Sequence, residues 1–331
     1  MTEQSEFPYV ALTARANGIH PTTARLLTID AVTFDDAGRV GEEFHQVFNP
    51  GMDAGPRHTH GLEVSDFAQA PRFSRSLKEL DRLIDARHII LFDSPTSWGF
   101  IVSEAKRAMN AAARANRSRR GRGNRRRQRV GHVPRPEGIV DVLATVRRQG
   151  HVPVDARLHA VADLIGVEVG QNETGRDDTL TLVSMYLALK EAGDLVTHDP
   201  AALAADRFGL QRSALRVDAA KAGERDTAAA SPLAGVYDPA RGLEKGMELV
   251  VTDDLTVDPD TVIDLGVRAG LRYSEKLTRQ SSLVVSEAAA KGAELRGKAM
   301  HAHRKDIPIL TPSEFEAAVE KMSAGSADAA E

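Results

Sequence analysis

The sequence predicts an α/β protein in two parts: a mixed sheet with helices, followed by a small α/β unit with a parallel sheet. Three observations carry this. Strand-like apolar runs crowd the stretch before Asn49-Pro50-Gly51. Helical periodicity dominates from Ser74 to Leu189. Beyond Gly235, short apolar runs alternate regularly with helical segments, the pattern of a parallel sheet with flanking helices.

Taken in order, Tyr9–Thr13, Leu26–Val32 and Val40–Phe48 read as three strands of an antiparallel meander, closed by the Asn49-Pro50-Gly51 turn. Ser74–Ile84 places Leu77, Leu80, Leu83 and Ile84 on one helical face. His88–Phe92 is a returning strand. Trp98–Met109 is helical through Trp98, Ile101, Val102, Ala105 and Met109. Further helices are expected over Ile139–Val146, Leu158–Ile165 and Thr179–Leu189. Residues 191–234 are rich in Ala, Asp, Gly and Thr and read as a linker, with a short helix near Ala201–Phe208. After it come a strand (Met247–Thr252), a helix (Pro259–Ala269), a strand (Ser282–Val285), a short helix (Gly297–His303), a strand (Ile307–Leu310) and a last helix (Pro312–Lys321). The expected division is a domain at 1–190 with an arginine-rich insert at 114–129, a linker at 191–234, a domain at 235–322 and a tail at 323–331.

Composition narrows the chemistry. A chain of 331 residues with 42% hydrophobic and 27% charged residues can bury two cores. It has no cysteine, which removes disulfides, thiol nucleophiles and cysteine-based zinc sites. No apolar run approaches a membrane span and no signal peptide is evident, so a soluble cytoplasmic protein is expected, nucleoid association included, with no membrane partner. The net charge of −4 conceals a basic cluster: Arg114, Arg117, Arg119, Arg120, Arg122, Arg125, Arg126, Arg127 and Arg129, with no acidic residue among them. Guanidinium forks suit phosphates. The cluster is therefore the expected contact for DNA or RNA, as a flexible loop or an extended helix end. Six such contacts to a duplex would give a slope of log affinity against log salt of roughly −5. No aromatic residue is interleaved, so base stacking and strong sequence specificity are not expected. A solvated loop, an acidic protein and an anionic lipid are the competing readings.

The order meander, helix, strand, helix, helix, with Asn49-Pro50, His60-Gly61, Asp141 and Asp178, resembles the DnaQ-like exonucleases of the DEDDh class over Tyr9–Leu189. The resemblance implies a ribonuclease H-like fold and membership of the DNA polymerase III epsilon/exonuclease-like group, with work in DNA replication or repair. In that family Asp-x-Glu on the first strand and two later aspartates hold two divalent cations, and a histidine is the general base. Here Thr13 and Arg15 stand at the first two places, Ser97 at the third and Glu173 at the histidine; only Asp178 matches. One carboxylate of four does not hold two hard cations, and a guanidinium stays charged where a metal would sit. The expectation is a catalytically inactive, nucleic-acid-binding relative with no cofactor. A hypothesis follows: Arg15 replaces the metals by pairing with Asp178, against the alternative that Asp178 caps the helix at Thr179. His58 and His60 lack a neighbouring carboxylate and are read as loop or packing residues. The alternative function is an active 3′-5′ exonuclease using Mg2+ or Mn2+ on relocated ligands Asp30, Asp93, Asp177 and Asp178.

The second domain resembles a BRCT module. Gly242-Leu243 with Gly246-Met247, Val250-Val251-Thr252, Ala269-Gly270, Ser281–Val285, Arg296-Gly297-Lys298-Ala299, Ile307–Leu310 and Phe315 carry the resemblance. It implies phosphate binding by Thr252 and Lys298, with Asp253 at the place of a glycine, and so a phosphopeptide or a DNA end as partner. A phosphoprotein-binding scaffold is the third functional reading.

Overall fold

The computed structural model describes residues 6–119, 130–170, 174–228, 234–290 and 294–328. The chain divides into two compact units: Met1–Thr145 with Arg157–Arg212, and Val146–Ala156 with Ser213–Glu331.

The first unit is a mixed α/β structure. Its first three strands are β1 (Tyr9–Ala16), β2 (Leu26–Phe34) and β3 (Val40–Val47). They form the expected antiparallel meander, with Thr13 opposite Asp30 and Asp30 opposite His45. Helices α1 (Val64–Ala68) and α2 (Phe73–Ile84) follow, then β4 (His88–Leu91), parallel to β1. A long α3 (Ser94–Arg119) leads on to β5 (Gly138–Asp141), parallel to β4, and α4 (Val142–Arg148). Helices α5 (Leu158–Leu164) and α6 (Gly175–Ala192) precede β6 (Thr197–His198), antiparallel to β5. The sheet order is β3-β2-β1-β4-β5-β6.

Side chains alternate across a strand, so each strand serves two layers. Val10, Leu12, Ile29, Ala31, Ile89 and Ile139 build one core with Leu77, Leu80 and Leu83 of α2 and Trp98, Ile101 and Ala105 of α3. α6 covers the other face. One end there is apolar, where Tyr186 packs on Tyr9 and Phe34 with centroids 5.3 and 5.5 Å away. The other end is polar and holds Thr13, Arg15 and Asp30.

Two local expectations change. Ile139–Val146, read as one helix, is strand β5 turning into α4 at Asp141. Gly138–Asp141 is buried throughout between its neighbours, and a short apolar run does not reveal by periodicity whether it is strand or helix. Asp141 makes the turn: its carboxylate accepts from the Ser94 amide at 3.0 Å, the Ser94 hydroxyl at 2.6 Å and the Ala144 amide at 2.8 Å. The segment 191–234 carries β6, a hairpin of β7 (Leu203–Ala205) and β8 (Gln211–Ser213), and α7 (Ala214–Ala228). Its alanines read as linker, yet alanine is also the strongest helix former.

The second unit has four parallel strands, β9 (Glu248–Val251), β10 (Arg272–Tyr273), β11 (Leu283–Val285) and β12 (Ile309–Leu310), in the order β10-β9-β11-β12. With them are α8 (Pro259–Arg268), α9 (Gly297–His303) and α10 (Pro312–Asp328). Leu249, Val251, Leu283 and Val285 pack with Ile263, Leu271 and Phe315. Val250 and Val284 face the other way, to Ala302 and Ile307. α7 belongs to this unit. Its Arg216 is buried and donates to the Tyr273 hydroxyl at 2.9 Å, to Glu275 at 2.7 Å and to Asp253 at 2.7 Å. Among the described residues no helix is long and apolar enough to cross a membrane.

Candidate functional site

The polar end of the α6 face is the candidate site. Thr13 and Arg15 lie two residues apart on β1 and so point to the same side. Asp30, opposite Thr13, joins them. The first turn of α6 arrives over these strands, and its approach is close: a Cβ added at Gly175 would lie 1.9 Å from Asp30 Oδ2. Thr179 ties the turn down. Its hydroxyl is 2.8 Å from that of Thr13 and 2.7 Å from the Gly175 carbonyl.

Asp178 then faces Arg15. The Arg15 Nη2 donates to Asp178 Oδ2 at 3.0 Å, and its Nη1 donates to the His60 carbonyl at 3.1 Å. The second carboxylate oxygen of Asp178 lies 2.8 Å from His159 Nε2 on α5. Asp178 is therefore held between an arginine and a histidine. It does not cap its helix: the cap is Thr174, whose hydroxyl accepts from the Asp177 amide at 3.2 Å. Asp30 is buried and hydrogen-bonded to His45 Nδ1. Burial pushes its carboxyl above the ordinary aspartate range, and the His45 bond and the Arg15 charge offset part of that.

The remaining sequence candidates fall in several places. Ser97 is half-buried in the first turn of α3, its amide bonded to the Asp93 carbonyl at 3.0 Å. Glu173 lies outside the described residues, as do Arg120, Arg122, Arg125, Arg126, Arg127 and Arg129. Arg114, Arg117 and Arg119 lie in the last turns of α3, so the insert begins as helix. Asp93 accepts from the Thr96 hydroxyl at 2.8 Å, and Asp177 from the Thr174 hydroxyl at 2.8 Å. The four relocated ligands are thus spent on different partners. Among the described residues no group of three or more His, Asp or Glu is placed to hold a metal ion. His60 is buried, accepts from the Leu62 amide at 3.1 Å and packs edge-on against Phe67; His58 is exposed.

In the second unit Lys298 reaches the end of β9, next to Thr252. Lys298 Nζ donates to the Val251 carbonyl at 3.3 Å. The Thr252 hydroxyl bonds to the Val285 carbonyl at 2.9 Å and to the Asp254 carboxylate. Asp253 is taken by Arg216.

His159 and His45 are the residues that spacing did not find. His159 stands 19 positions before Asp178, outside the family's motif. His45 had a signal: Asp30 interrupts the apolar run Leu26–Phe34, and a polar residue inside a buried strand needs a partner from the next one.

No protein-family model and no curated protein matches the chain. Among solved structures it is similar to a full-length 3′-exonuclease, at 12% identity and a TM-score of 0.44 over 62% of this chain and 90% of that one. It is also similar to exonuclease X in complex with 5′ overhanging duplex DNA, at 11% identity and a TM-score of 0.36 over 55% of this chain and 91% of that one. A third is E. coli exonuclease I in complex with a dA16 oligonucleotide, at 12% identity and a TM-score of 0.40 over 55% of this chain. The chain spans 40% of the length of that exonuclease I.

Proposed function

We propose that this chain binds DNA or RNA on an exonuclease-type frame, in replication or repair, and does not hydrolyse phosphodiesters by two-metal chemistry. The observation that carries the reading is the Arg15–Asp178 ion pair at 3.0 Å. The family's chemistry implies two divalent cations on carboxylates at this place. The donor set does not fit them: Thr13 offers a hydroxyl, Arg15 a fixed cation, and Asp178 already accepts from Arg15 and His159. A hard cation wants several charged oxygens, and here the positive charge is supplied by the chain itself. No cofactor is therefore expected. Binding is assigned to the arginines from Arg114 to Arg129, which are free of acidic neighbours in sequence.

The second unit is proposed to be a BRCT-type module. Its parallel sheet with flanking helices supports this. The placement of Thr252 and Lys298 at the same strand end supports a phosphate contact, to a phosphopeptide or a DNA end, and the Asp254 carboxylate on the Thr252 hydroxyl opposes it.

The test is to incubate the full chain with single-stranded and duplex DNA and RNA, with Mg2+ or Mn2+. The expected result is retention of nucleic acid without digestion, weakening as salt rises. Metal-dependent digestion that disappears in Asp178→Ala would overturn the reading in favour of a nuclease with relocated ligands.

A further inference from the structure

α3 has one covered side and one bare side. Trp98, Ile101, Ala105, Ala108 and Ala112 are buried. At 3.6 residues per turn, Lys106, Asn110, Ala113, Arg114 and Arg117 fall within about a quarter turn on the opposite side, and all five are exposed. The helix rises about 16 Å from the first to the last of them. No Asp or Glu occurs between Ala105 and Arg129. Among the described residues, no carboxylate forms an ion pair with Lys106, Arg114 or Arg117. Arg107, on the flank, is different: it is tied to Glu104 at 3.0 Å and to the Ala24 carbonyl at 3.0 Å. The helix thus separates a cation that holds the fold from a stripe of cations that does not.

Like charges three and four residues apart weaken a helix. A solvated face would normally intersperse carboxylates; this one carries none, and none of the described carboxylates pairs with its cations, so the face suits an anionic partner. The shape narrows the partner. A helix about 10–12 Å across fits the major groove of B-form DNA, about 12 Å wide. Ala113 lets the backbone come close. Lys106 and Arg117, at the two ends, are exposed cations of the kind that bond phosphates. Asn110 and Arg114, between them, are the side-chain types that bond adenine and guanine edges in pairs.

We infer that the exposed face of α3 docks in the major groove of duplex DNA, with Lys106 and Arg117 on phosphates and Asn110 and Arg114 at base edges. This rests on the nucleic-acid reading above and sharpens it to duplex DNA. A-form RNA is excluded by the same shape, since its major groove is too deep and narrow to be read.

The full chain is titrated with duplex DNA, duplex RNA and single-stranded DNA of equal length, by fluorescence anisotropy at several salt concentrations. Duplex DNA is expected to bind tightest. Lys106→Gln with Arg117→Gln keeps good helix formers and is expected to lower the salt slope for duplex DNA by roughly 2; circular dichroism verifies the fold. Asn110→Ala is expected to keep the slope and to flatten base preference at one position. Equal binding of duplex DNA and RNA overturns the inference, and so does a double variant with unchanged affinity and slope. If replacing the arginines at 120–129 abolishes binding while the helix variant does not, the general nucleic-acid reading stands and this one falls. If no nucleic acid binds at all, both fall.

Discussion

Arg15 and Asp30 sit on neighbouring strands and meet burial differently. Arg15 is answered by Asp178 and by the His60 carbonyl. Asp30 is buried beneath Gly175, with His45 as its hydrogen-bond partner. Its folded pKa lies above the unfolded value of 3.8, chiefly through burial. The sign follows: the folded state holds this proton more tightly, so the associated stability is full below that unfolded value and is lost as pH rises through the folded one. In Asp30→Asn that component disappears. Urea denaturation of both proteins from pH 3.5 to pH 7 is expected to show the wild type gaining on the variant as pH falls. A constant difference across the range would remove Asp30 as the titrating group. Gly175→Ala tests the same contact sterically. Its methyl group meets the Asp30 carboxylate, and a loss of about 1–3 kcal/mol is expected from overpacking, measured by thermal unfolding.

At the scale of elements, legibility depended on whether a pattern was local. The meander was readable because β1, β2 and β3 are long apolar or alternating runs ending at a strong turn. Thr13, Arg15 and Asp178 stand out through the resemblance to the DEDDh motif, and the structure brings Arg15 and Asp178 together as an ion pair. β5 was not: Gly138–Asp141 is too short to show a period, and only its pairing with β4 makes it a strand. His159 was not, because its partnership with Asp178 is tertiary. α7 was read as linker because its alanines lack a strong apolar face. Val217 is buried, Ala219 and Ala220 pack on the core, and one polar side chain adds to them. Arg216 is buried among Tyr273, Glu275 and Asp253; burial alone would push its pKa down, and these partners hold it well above the ordinary arginine value. Removing one member of such a cluster leaves the others uncompensated. Arg216→Met is expected to cost about 3 kcal/mol, read as a lowered denaturation midpoint of the second unit. Gly223 marks the same packing, since an added Cβ would lie 2.3 Å from the Tyr273 carbonyl oxygen. An unshifted midpoint in Arg216→Met would mean that the Arg216 cluster adds nothing to that unit's stability.

For the whole molecule the decisive quantity is where the charge sits. A net charge of −4 predicts net repulsion from a polyanion, yet nine arginines occupy positions 114–129. The two facts act over different ranges. Net charge is screened beyond a Debye length of about 8 Å at physiological salt, while guanidinium–phosphate contacts are made at bonding distance and release counterions. Local contacts therefore dominate. Replacing Arg125, Arg126 and Arg127 by glutamine removes three cations and is expected to reduce the salt slope of DNA binding by roughly 3. Replacing the same three by lysine keeps the charge and gives up the bidentate fork. The lysine variant is expected to keep the slope and bind more weakly than wild type, and the glutamine variant to lose both. If the glutamine variant binds like wild type at every salt concentration, the segment is solvent-facing and the contact lies elsewhere. If lysine and glutamine weaken binding equally with the slope unchanged, the arginines shape the interface without touching phosphate.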